Sequence, residues 1–459
     1  MAVDPAQARR RSDRLSDRIS QAILISVAAA CVLVFLTIRL PRAMHADASP
    51  LGDDGPGYFS YLRSVLFDGD LDFENEFDRL EWPVDELTPT GLVANYWSVG
   101  PAILWAPFYL VIHGLSLIAP RVGYPANCDG FGYQYQSAAC VGTIVYVALG
   151  CILAYRLCRR YTSSYSGLVA VLGLFLGSSL IHYTIAAPGS SHGVSFFAVA
   201  LFLFLWDRHR RRSRTDWALL GLAAGLMALV RWQDVLFVSV VAVQAIWSAR
   251  SGSAHERVVT MREYLQGGLL AALIGTFVFA PQMLAWSVLY GSPLVLPQGA
   301  AFFDPLHPNL VEYLFSTNHG LFTWTPIALL AVVGLGPLWV RDRRTTMALV
   351  VPLLLLWYLN SATSDWWAHG SFGARRFVSA TAILALGLAA LIESVVRRLR
   401  HGTILALICV ASLIGWNFLL DLQFTLGYIP TDEAISLRQM TVGKFEMLAT
   451  LIRHALGRL

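Results

Sequence analysis

The sequence predicts an all-α polytopic membrane protein with about 11 transmembrane helices, and its composition is the first support for this class. Of the 459 residues, 56% are hydrophobic and only 14% are charged, whereas a soluble domain carries about 25% charged residues. Apolar runs of bilayer-spanning length recur along the chain. This composition excludes a water-soluble enzyme, a disordered protein and a nucleic-acid binder, because each of these needs more charge.

The apolar runs give the predicted spans. We count them at 20–40, 135–157, 166–187, 192–206, 217–231, 233–249, 265–289, 322–340, 345–360, 377–396 and 402–421. The first run follows a basic leader and precedes Ala46-x-Ala48, a pattern that a cleaved signal peptide also shows. Its core of roughly twenty apolar residues is longer than that of a cleaved signal and favours an uncleaved span.

The basic residues predict the orientation, and all of them except Lys444 are arginines. Cytoplasmic loops carry an excess of Arg and Lys, so the clusters should be cytoplasmic; they lie at 9–18, 156–160, 208–214, 250–262, 341–344 and 397–400. This predicts a cytoplasmic tail at 1–19, a transmembrane module at 20–421 and an extracytoplasmic tail at 422–459.

The apolar run 99–118 decides whether this topology is consistent. If this run crosses the membrane, one of the flanking Arg clusters lies on the extracytoplasmic side, against the charge rule. If it lies along the outer interface, as Pro101 and Pro107 would allow, residues 41–134 form one large outer loop and the N-terminus is cytoplasmic. The second arrangement is favoured, and an ordinary span that breaks the charge rule is the alternative.

The outer loop carries the first candidate chemistry. Twelve carboxylates lie between Asp47 and Glu86, and most of them are typical of a solvated acidic loop. Asp53 and Asp54 differ, because the sequence Gly52-Asp-Asp-Gly-Pro-Gly-Tyr58 places them on a glycine-rich turn just beyond the first span. A carboxylate fixed there can act as a general base, or hold a metal or a sugar hydroxyl.

Three arginines stand at predicted outer ends of spans, where the charge rule expects few. Arg375 and Arg376 precede the span at 377, and Arg guanidinium groups suit phosphate oxygens. Arg231 lies at an outer turn between short spans, where a charge needs a cavity or a partner. A snorkelling side chain, or a pair with Asp234, is an equally good explanation of Arg231.

Aromatic and histidine side chains gather in the same outer loops and are candidate substrate-binding residues. Tryptophans could stack on a sugar or belong to the interfacial aromatic belt, and histidines could ligate a metal, relay protons or be structural. The candidates are Tyr58, His192, His319, Trp366, Trp367 and His369. A divalent metal at Asp53, Asp54 and His192 stays open.

Four segments resemble those of the GT-C superfamily of integral-membrane glycosyltransferases, in its protein-mannosyltransferase and aminoarabinose-transferase branch. They are the acidic turn at 52–58 with the following 61–72, the juxtamembrane segment 95–105, Ser190-Ser-His-Gly-Val-Ser-Phe196, and 366–377. The resemblance implies an outer loop with juxtamembrane helices near 58–68 and 99–118. The family's usual juxtamembrane lysine is absent, since Ser98-Val-Gly-Pro101 stands there.

The resemblance also implies an activity: transfer of a sugar from a polyprenyl-phosphate donor to a lipid or glycan acceptor of the cell envelope, outside a bacterial cytoplasmic membrane. Asp53 or Asp54 would be the base, and Arg375, Arg376 and Arg231 would bind the donor phosphate. A lipid flippase or transporter is the main alternative, although its signature of mid-span charges is missing. A structural subunit of an envelope-building complex is a further one.

Overall fold

The computed structural model describes residues 5–52, 54–84, 86–208, 212–250 and 253–456, and this part of the chain is helical. Strand pairing within these ranges is limited to two isolated bridges, Leu87–Val93 and Phe303–Thr363. The predicted all-helical class is therefore confirmed.

The first ten α-helices are α1 Pro5–Val34, α2 Leu40–His45, α3 Gly55–Arg63, α4 Glu74–Arg79, α5 Gly100–Ile118, α6 Tyr133–Cys158, α7 Ser164–Leu176, α8 His182–Ile185, α9 Ser191–Trp206 and α10 Arg214–Val230. The remaining ones are α11 Ser239–Ala249, α12 Ala254–Tyr290, α13 Leu310–Phe315, α14 Leu321–Trp324, α15 Pro326–Val333, α16 Leu335–Arg341, α17 Arg343–Ser361, α18 Thr381–Arg398, α19 Gly402–Thr425 and α20 Leu437–Leu456. Short π-helical segments occur at Phe35–Arg39 and Ser64–Asp68, and 3₁₀ segments at Ala119–Val122, Trp232–Val238, Ala300–Phe302 and Arg375–Ala380.

Seven helical segments of the described chain are long and apolar enough to cross a membrane. They are Asp13–His45, Gly100–Val122, Tyr133–Cys158, Trp232–Ala249, His255–Tyr290, Arg375–Arg398 and Gly402–Thr425. They support a multi-pass membrane protein, but the expected count of about eleven spans is not confirmed. Gly100–Val122 is among the seven, so length and composition leave open whether this segment crosses the bilayer.

Two predicted spans are interrupted. The predicted span 166–187 ends as a helix at Leu176, where the side-chain amide of Asn417 in α19 donates to the carbonyls of Leu176 and Ser178. The predicted span 322–340 is divided into α14, α15 and α16, with Pro326 at the start of α15. A proline lacks the N–H that would continue the preceding helix.

The centre of the bundle is α18. In the most apolar 18-residue window of Arg375–Arg398, 83% of the residues are buried, against 11% for His255–Tyr290. The helix α18 contacts α6, α7, α9, α15, α16 and α19. Arg375 and Arg376 begin the 3₁₀ segment that leads into α18, so the most enclosed of the seven candidate spans also fixes the position of these two arginines.

Glycines set the close packing of α10 on α12. A Cβ added at Gly221 would lie 2.5 Å from the carbonyl oxygen of Ala271, and one at Gly225 would lie 2.6 Å from that of Gly275. Only the absence of a side chain allows the two backbones this approach. The contact is a small-residue interface of the kind that membrane helices use.

The predicted outer loop is folded onto the bundle. Arg63, at the end of α3, forms an ion pair of 2.9 Å with Glu76 in α4 and stacks over the Phe131 ring at 4.4 Å. The predicted juxtamembrane helices near 58–68 and 99–118 correspond to α3 with its π-helical extension and to α5. The acidic segment is therefore held at the entrance to α6.

Candidate functional site

Asp54 is held in place by a tight turn. Gly52 has φ +85°, a left-handed conformation that favours glycine, and a Cβ there would lie 2.7 Å from the Cβ of Ala187. The amide of Gly189 donates to the carbonyl of Leu51 at 2.7 Å, which joins this turn to the loop before α9. Asp54 then occupies the N-cap position of α3. Asp53, the other predicted catalytic carboxylate, lies outside the described residues.

Asp54 forms an ion pair with Arg375, which is 321 residues away in sequence. The Nη1 of Arg375 lies 2.6 Å from Oδ2 of Asp54, and the two side chains are 16% and 18% exposed. Arg375 follows a left-handed glycine, Gly373, and begins the 3₁₀ segment that leads into α18. The structure therefore brings one predicted base and one predicted phosphate ligand into direct contact, in a position that is largely buried but still reached by solvent.

Tyr58 lies one turn further along α3. Its hydroxyl is 2.8 Å from that of Ser191 at the start of α9. Burial raises the pKa of Tyr58 to about 12, and the negative charge of Asp54 adds to this effect. The cations Arg231 and Arg375 act in the opposite direction. Tyr58 is therefore a neutral hydroxyl at physiological pH, within electrostatic range of all three charged groups.

His192 and Arg231 form a buried pair behind Tyr58. The Nη1 of Arg231 lies 2.5 Å from Nδ1 of His192, and both residues are buried. A guanidinium can only donate, so Nδ1 must accept and His192 must be a neutral imidazole with its proton on Nε2. Arg231 also ends α10, and its carbonyl accepts from the amide of Asp234 at 2.9 Å. The alternative of a snorkelling Arg231 therefore does not describe its position.

Arg376 has different contacts from those of Arg375. Its Nη2 lies 2.5 Å from Oδ2 of Asp365, its Nη1 donates to Thr363 at 2.8 Å, and its guanidinium lies over the Phe302 ring. The side chain is thus neutralised by Asp365 rather than by Asp54. The sequence predicts the same role for Arg375 and Arg376, but the structure gives the two side chains different surroundings.

The tryptophans and His369 form a rim at the segment 365–370. Trp366 and Trp367 meet edge to face at 5.8 Å, and the indole N–H of Trp367 donates to Asp432 at 2.7 Å. His369 is exposed, has a left-handed backbone at φ +48°, and lies 3.5 Å from Asp432. The rim therefore bridges the loop before α18 and the C-terminal tail.

His319 contacts this rim from the protein interior. It is buried with φ +60°, and its Nδ1 donates to the carbonyl of Trp367 at 2.9 Å. Burial lowers the pKa of His319 to about 4. Its Nε2 is enclosed and finds no hydrogen-bond partner among the described residues.

Sequence reasoning missed His182 and Asp421. The Nδ1 of His182 lies 2.6 Å from Oδ1 of Asp421, and the ring stacks on Phe372 at 4.9 Å. The amide of Phe372 in turn donates to the hydroxyl of Tyr183 at 2.9 Å, and the Tyr183 ring contacts His192. Asp421 at the outer end of the last predicted span was the available signal, since a charge there needs a partner.

An apolar groove of about 790 Å³ has Trp232, the residue after Arg231, in its wall. Trp232 and the segment 294–296 line one end of it, and Trp217 and Gly268 lie further along α10 and α12. Many of its lining positions on α10 and α12 are Gly or Ala. Its wall is almost wholly apolar, which suits a hydrocarbon chain.

A metal site is not evident in the part of the chain that the structure describes. No group of three or more His, Cys, Asp or Glu side chains there lies close enough together to hold an ion. The proposed set of Asp53, Asp54 and His192 includes one residue outside this part. Of its two described members, Asp54 is engaged by Arg375 and His192 by Arg231.

Comparison with protein-family models and with curated proteins returned no match.

Proposed function

We propose that the protein is a membrane glycosyltransferase that moves a sugar from a polyprenyl-phosphate donor to an acceptor hydroxyl of the cell envelope. The observation that carries this proposal is the ion pair between Asp54 and Arg375. The buried Arg231 acts on the same tyrosine, Tyr58, as this pair does, and the residue after it, Trp232, lines an apolar groove. A base, a phosphate-binding cation and a lipid channel are the parts that this reaction needs.

The donor is proposed to bind with its tail in the groove and its phosphate at the arginines. Arg375 has several N–H donors in a planar array, so it can bind a phosphate as well as a carboxylate. Arg231 is one residue from Trp232, which lines the groove. Neutralising the phosphate would stabilise it as the leaving group, which is an electrostatic contribution to catalysis.

The reaction is proposed to be a single displacement. The acceptor oxygen forms a bond to the anomeric carbon while the bond from that carbon to the phosphate oxygen breaks, and the configuration inverts. The acceptor proton passes to Asp54. When a phosphate engages Arg375, it competes with Asp54 for the guanidinium, so donor binding would release the carboxylate to act as base.

The remaining site residues are proposed to hold the substrates. Tyr58 and His192 lie closest to the charged groups, while the partly buried Trp366 and Trp367 and the exposed His369 form the rim that an acceptor sugar would meet. By the Arg distribution, this end of the bundle faces outward from a bacterial cytoplasmic membrane and the N-terminus is cytoplasmic. Lipid and glycan acceptors are both compatible with this arrangement.

The test is transfer by the purified full-length protein from radiolabelled polyprenyl-phosphate sugars. Asp54→Asn should abolish transfer while the protein still unfolds in one cooperative transition, at a temperature lowered by the loss of the ion pair. Asp78→Asn is the matched control, because Asp78 is an exposed carboxylate of the same loop, and it should keep full activity. Full activity of Asp54→Asn, and of the double variant with Asp53→Asn, would overturn the assignment.

The arginines can be separated by the same assay. Arg375→Ala should raise the KM for the donor more than that for the acceptor, and should do so more than Arg376→Ala, whose guanidinium is bound to Asp365. A flippase would instead move labelled lipid across proteoliposomes without forming a glycosylated product, and that result would favour the alternative activity.

A further inference from the structure

The C-terminal helix α20 packs on the outside of the bundle. It lies against α19, which is the last of the seven segments long and apolar enough to cross a membrane. The side-chain amide of Gln423 in α19 donates to the carbonyl of Gln439 at 3.1 Å. Met440 and Met447, seven residues apart and so on one side of α20, are buried. One side of α20 is therefore fixed to a candidate membrane span.

The same side of α20 carries a lysine whose ammonium group is bound by α19. Lys444 is 1% exposed, and its Nζ donates to the carbonyl of Trp416 at 3.0 Å. The Nζ also lies 3.2 Å from the centre of the Trp416 ring, where the negative electrostatic potential of the ring face attracts a cation. This charge therefore does not interrupt the apolar surface that α20 presents to its surroundings.

A second apolar stripe of α20 is left uncovered by the described residues. Val442, Phe445, Ile452 and Leu456 follow one another at intervals of three, seven and four residues, so they share one side of the helix. Their exposed fractions lie between 48% and 67%. A contiguous exposed apolar surface of this kind marks a contact with a protein partner or with a membrane.

The polar residues of α20 occupy the remaining arc of the helix. Glu446, Thr450 and Arg453 follow one another at intervals of four and three residues. Arg438 stands one turn before Val442, on the side of the stripe, and its Nη2 reaches Glu446 at 2.6 Å, as a snorkelling side chain does. The helix therefore has one polar arc and a broad apolar arc, part of which covers α19. This distribution is typical of a helix that lies in a membrane interface.

The exposure of α19 indicates which partner covers the stripe. Only 22% of its most apolar 18-residue window is buried, and Ile404, Ile408 and Phe418 are exposed. In a helix that crosses a membrane, such side chains contact lipid. Because α20 is attached to this outer helix, lipid is the apolar partner next to its own uncovered stripe.

We propose that α20 is an interfacial helix whose stripe of Val442, Phe445, Ile452 and Leu456 inserts into lipid at the bilayer surface beside the end of α19. The polar arc then lies among the headgroups and in water. The segment that joins α19 to α20 carries Asp432, which accepts from the indole of Trp367, so the same contact ties the rim to the membrane surface. The proposal does not depend on the transfer reaction.

The test places a photoreactive p-benzoylphenylalanine at single positions of the full-length protein in phosphatidylcholine nanodiscs. On illumination this group bonds covalently to whatever C–H group touches it, so the mass of the intact product shows whether the neighbour is lipid or protein. The stripe is sampled at Phe445 and Ile452. Glu446, on the polar arc, is the matched control, and Ile408 of α19 reports the yield at a lipid-facing position.

Phe445 and Ile452 should each give a lipid adduct at least about tenfold more abundant than that at Glu446, and within about threefold of that at Ile408, because the stripe meets acyl chains. Ile452 provides a second measure if the substitution at Phe445 prevents folding. A covalent dimer formed from the stripe positions would identify a second copy of the chain as the occupant and would overturn the proposal. Lipid adducts as abundant at Glu446 as at Phe445, or none at Phe445 and Ile452, would overturn it as well.

Discussion

The ion pair between Asp54 and Arg375 should contribute measurably to stability as well as to the site. At a separation of about 4 Å and an effective dielectric constant of about 20, two unit charges attract by about 4 kcal/mol. The side chains are 18% and 16% exposed, so water screens part of this energy, and desolvation of both groups opposes it. We therefore expect a net coupling of about 2 kcal/mol, between the values typical of exposed and of buried pairs.

The assay is a double-mutant cycle with Asp54→Asn, Arg375→Gln and the combined variant. Unfolding free energies are measured in mixed micelles by titration with dodecyl sulfate. Such a cycle isolates the pairwise energy from the other effects of each substitution. Because the pair is mostly enclosed, raising the salt concentration to about 0.5 M should lower the coupling only slightly.

Arg438 and Glu446 provide the comparison pair. They also lie 2.6 Å apart, but their side chains are 75% and 55% exposed. Their coupling should stay below about 1 kcal/mol and should decrease with salt. A coupling near zero for Asp54 and Arg375, or one no larger than that of the exposed pair, would refute the reasoning from burial.

Three further predictions concern other parts of the fold. Burial lowers the pKa of His319 from 6.5 to about 4, so between these two pH values the unfolded chain binds more protons than the folded one. The free energy of unfolding should therefore fall by about 3 kcal/mol when the pH is lowered from 6.5 to 4. A His319→Asn variant whose free energy of unfolding shows the same pH dependence would contradict this. Gly225→Ala should destabilise by about 1–3 kcal/mol through its contact with α12, whereas Gly268→Ala, which meets nothing within 4 Å, should be neutral or stabilising in the same unfolding measurement. Burial lowers the pKa of Lys444 from 10.5 to about 7, so the thermal transition should rise between pH 7 and pH 10, and Lys444→Met should remove that rise.

The positions of the helices could largely be predicted from the sequence, because the length and polarity of an apolar run depend on local composition. The runs at 20–40, 135–157 and 402–421 all correspond to long helices. The structure differs from a continuous helix at 166–187, where α7 ends at Leu176. The carbonyls of Leu176 and Ser178 at this end accept from Asn417 of α19, a contact that the local sequence does not reveal.

The candidate site could be predicted only as a set of residues. The glycine-rich turn and the outer arginines were visible as exceptions to ordinary patterns, and they indicated Asp54, Arg231 and Arg375. The sequence could not show that Arg375 rather than Arg376 contacts Asp54, since the two are adjacent and chemically alike. It also gave no reason to join His182 with Asp421.

By itself, the sequence determined the helical class, the membrane environment and the residue types available at the ends of the helices, because these follow from composition and from the thickness of a bilayer. Only the tertiary structure decided the pairings: Asp54 with Arg375, His192 with Arg231, and His182 with Asp421. Each pairing joins helices that are far apart in sequence. Which side chains meet depends on the rotation and packing of those helices, and local sequence does not encode that rotation.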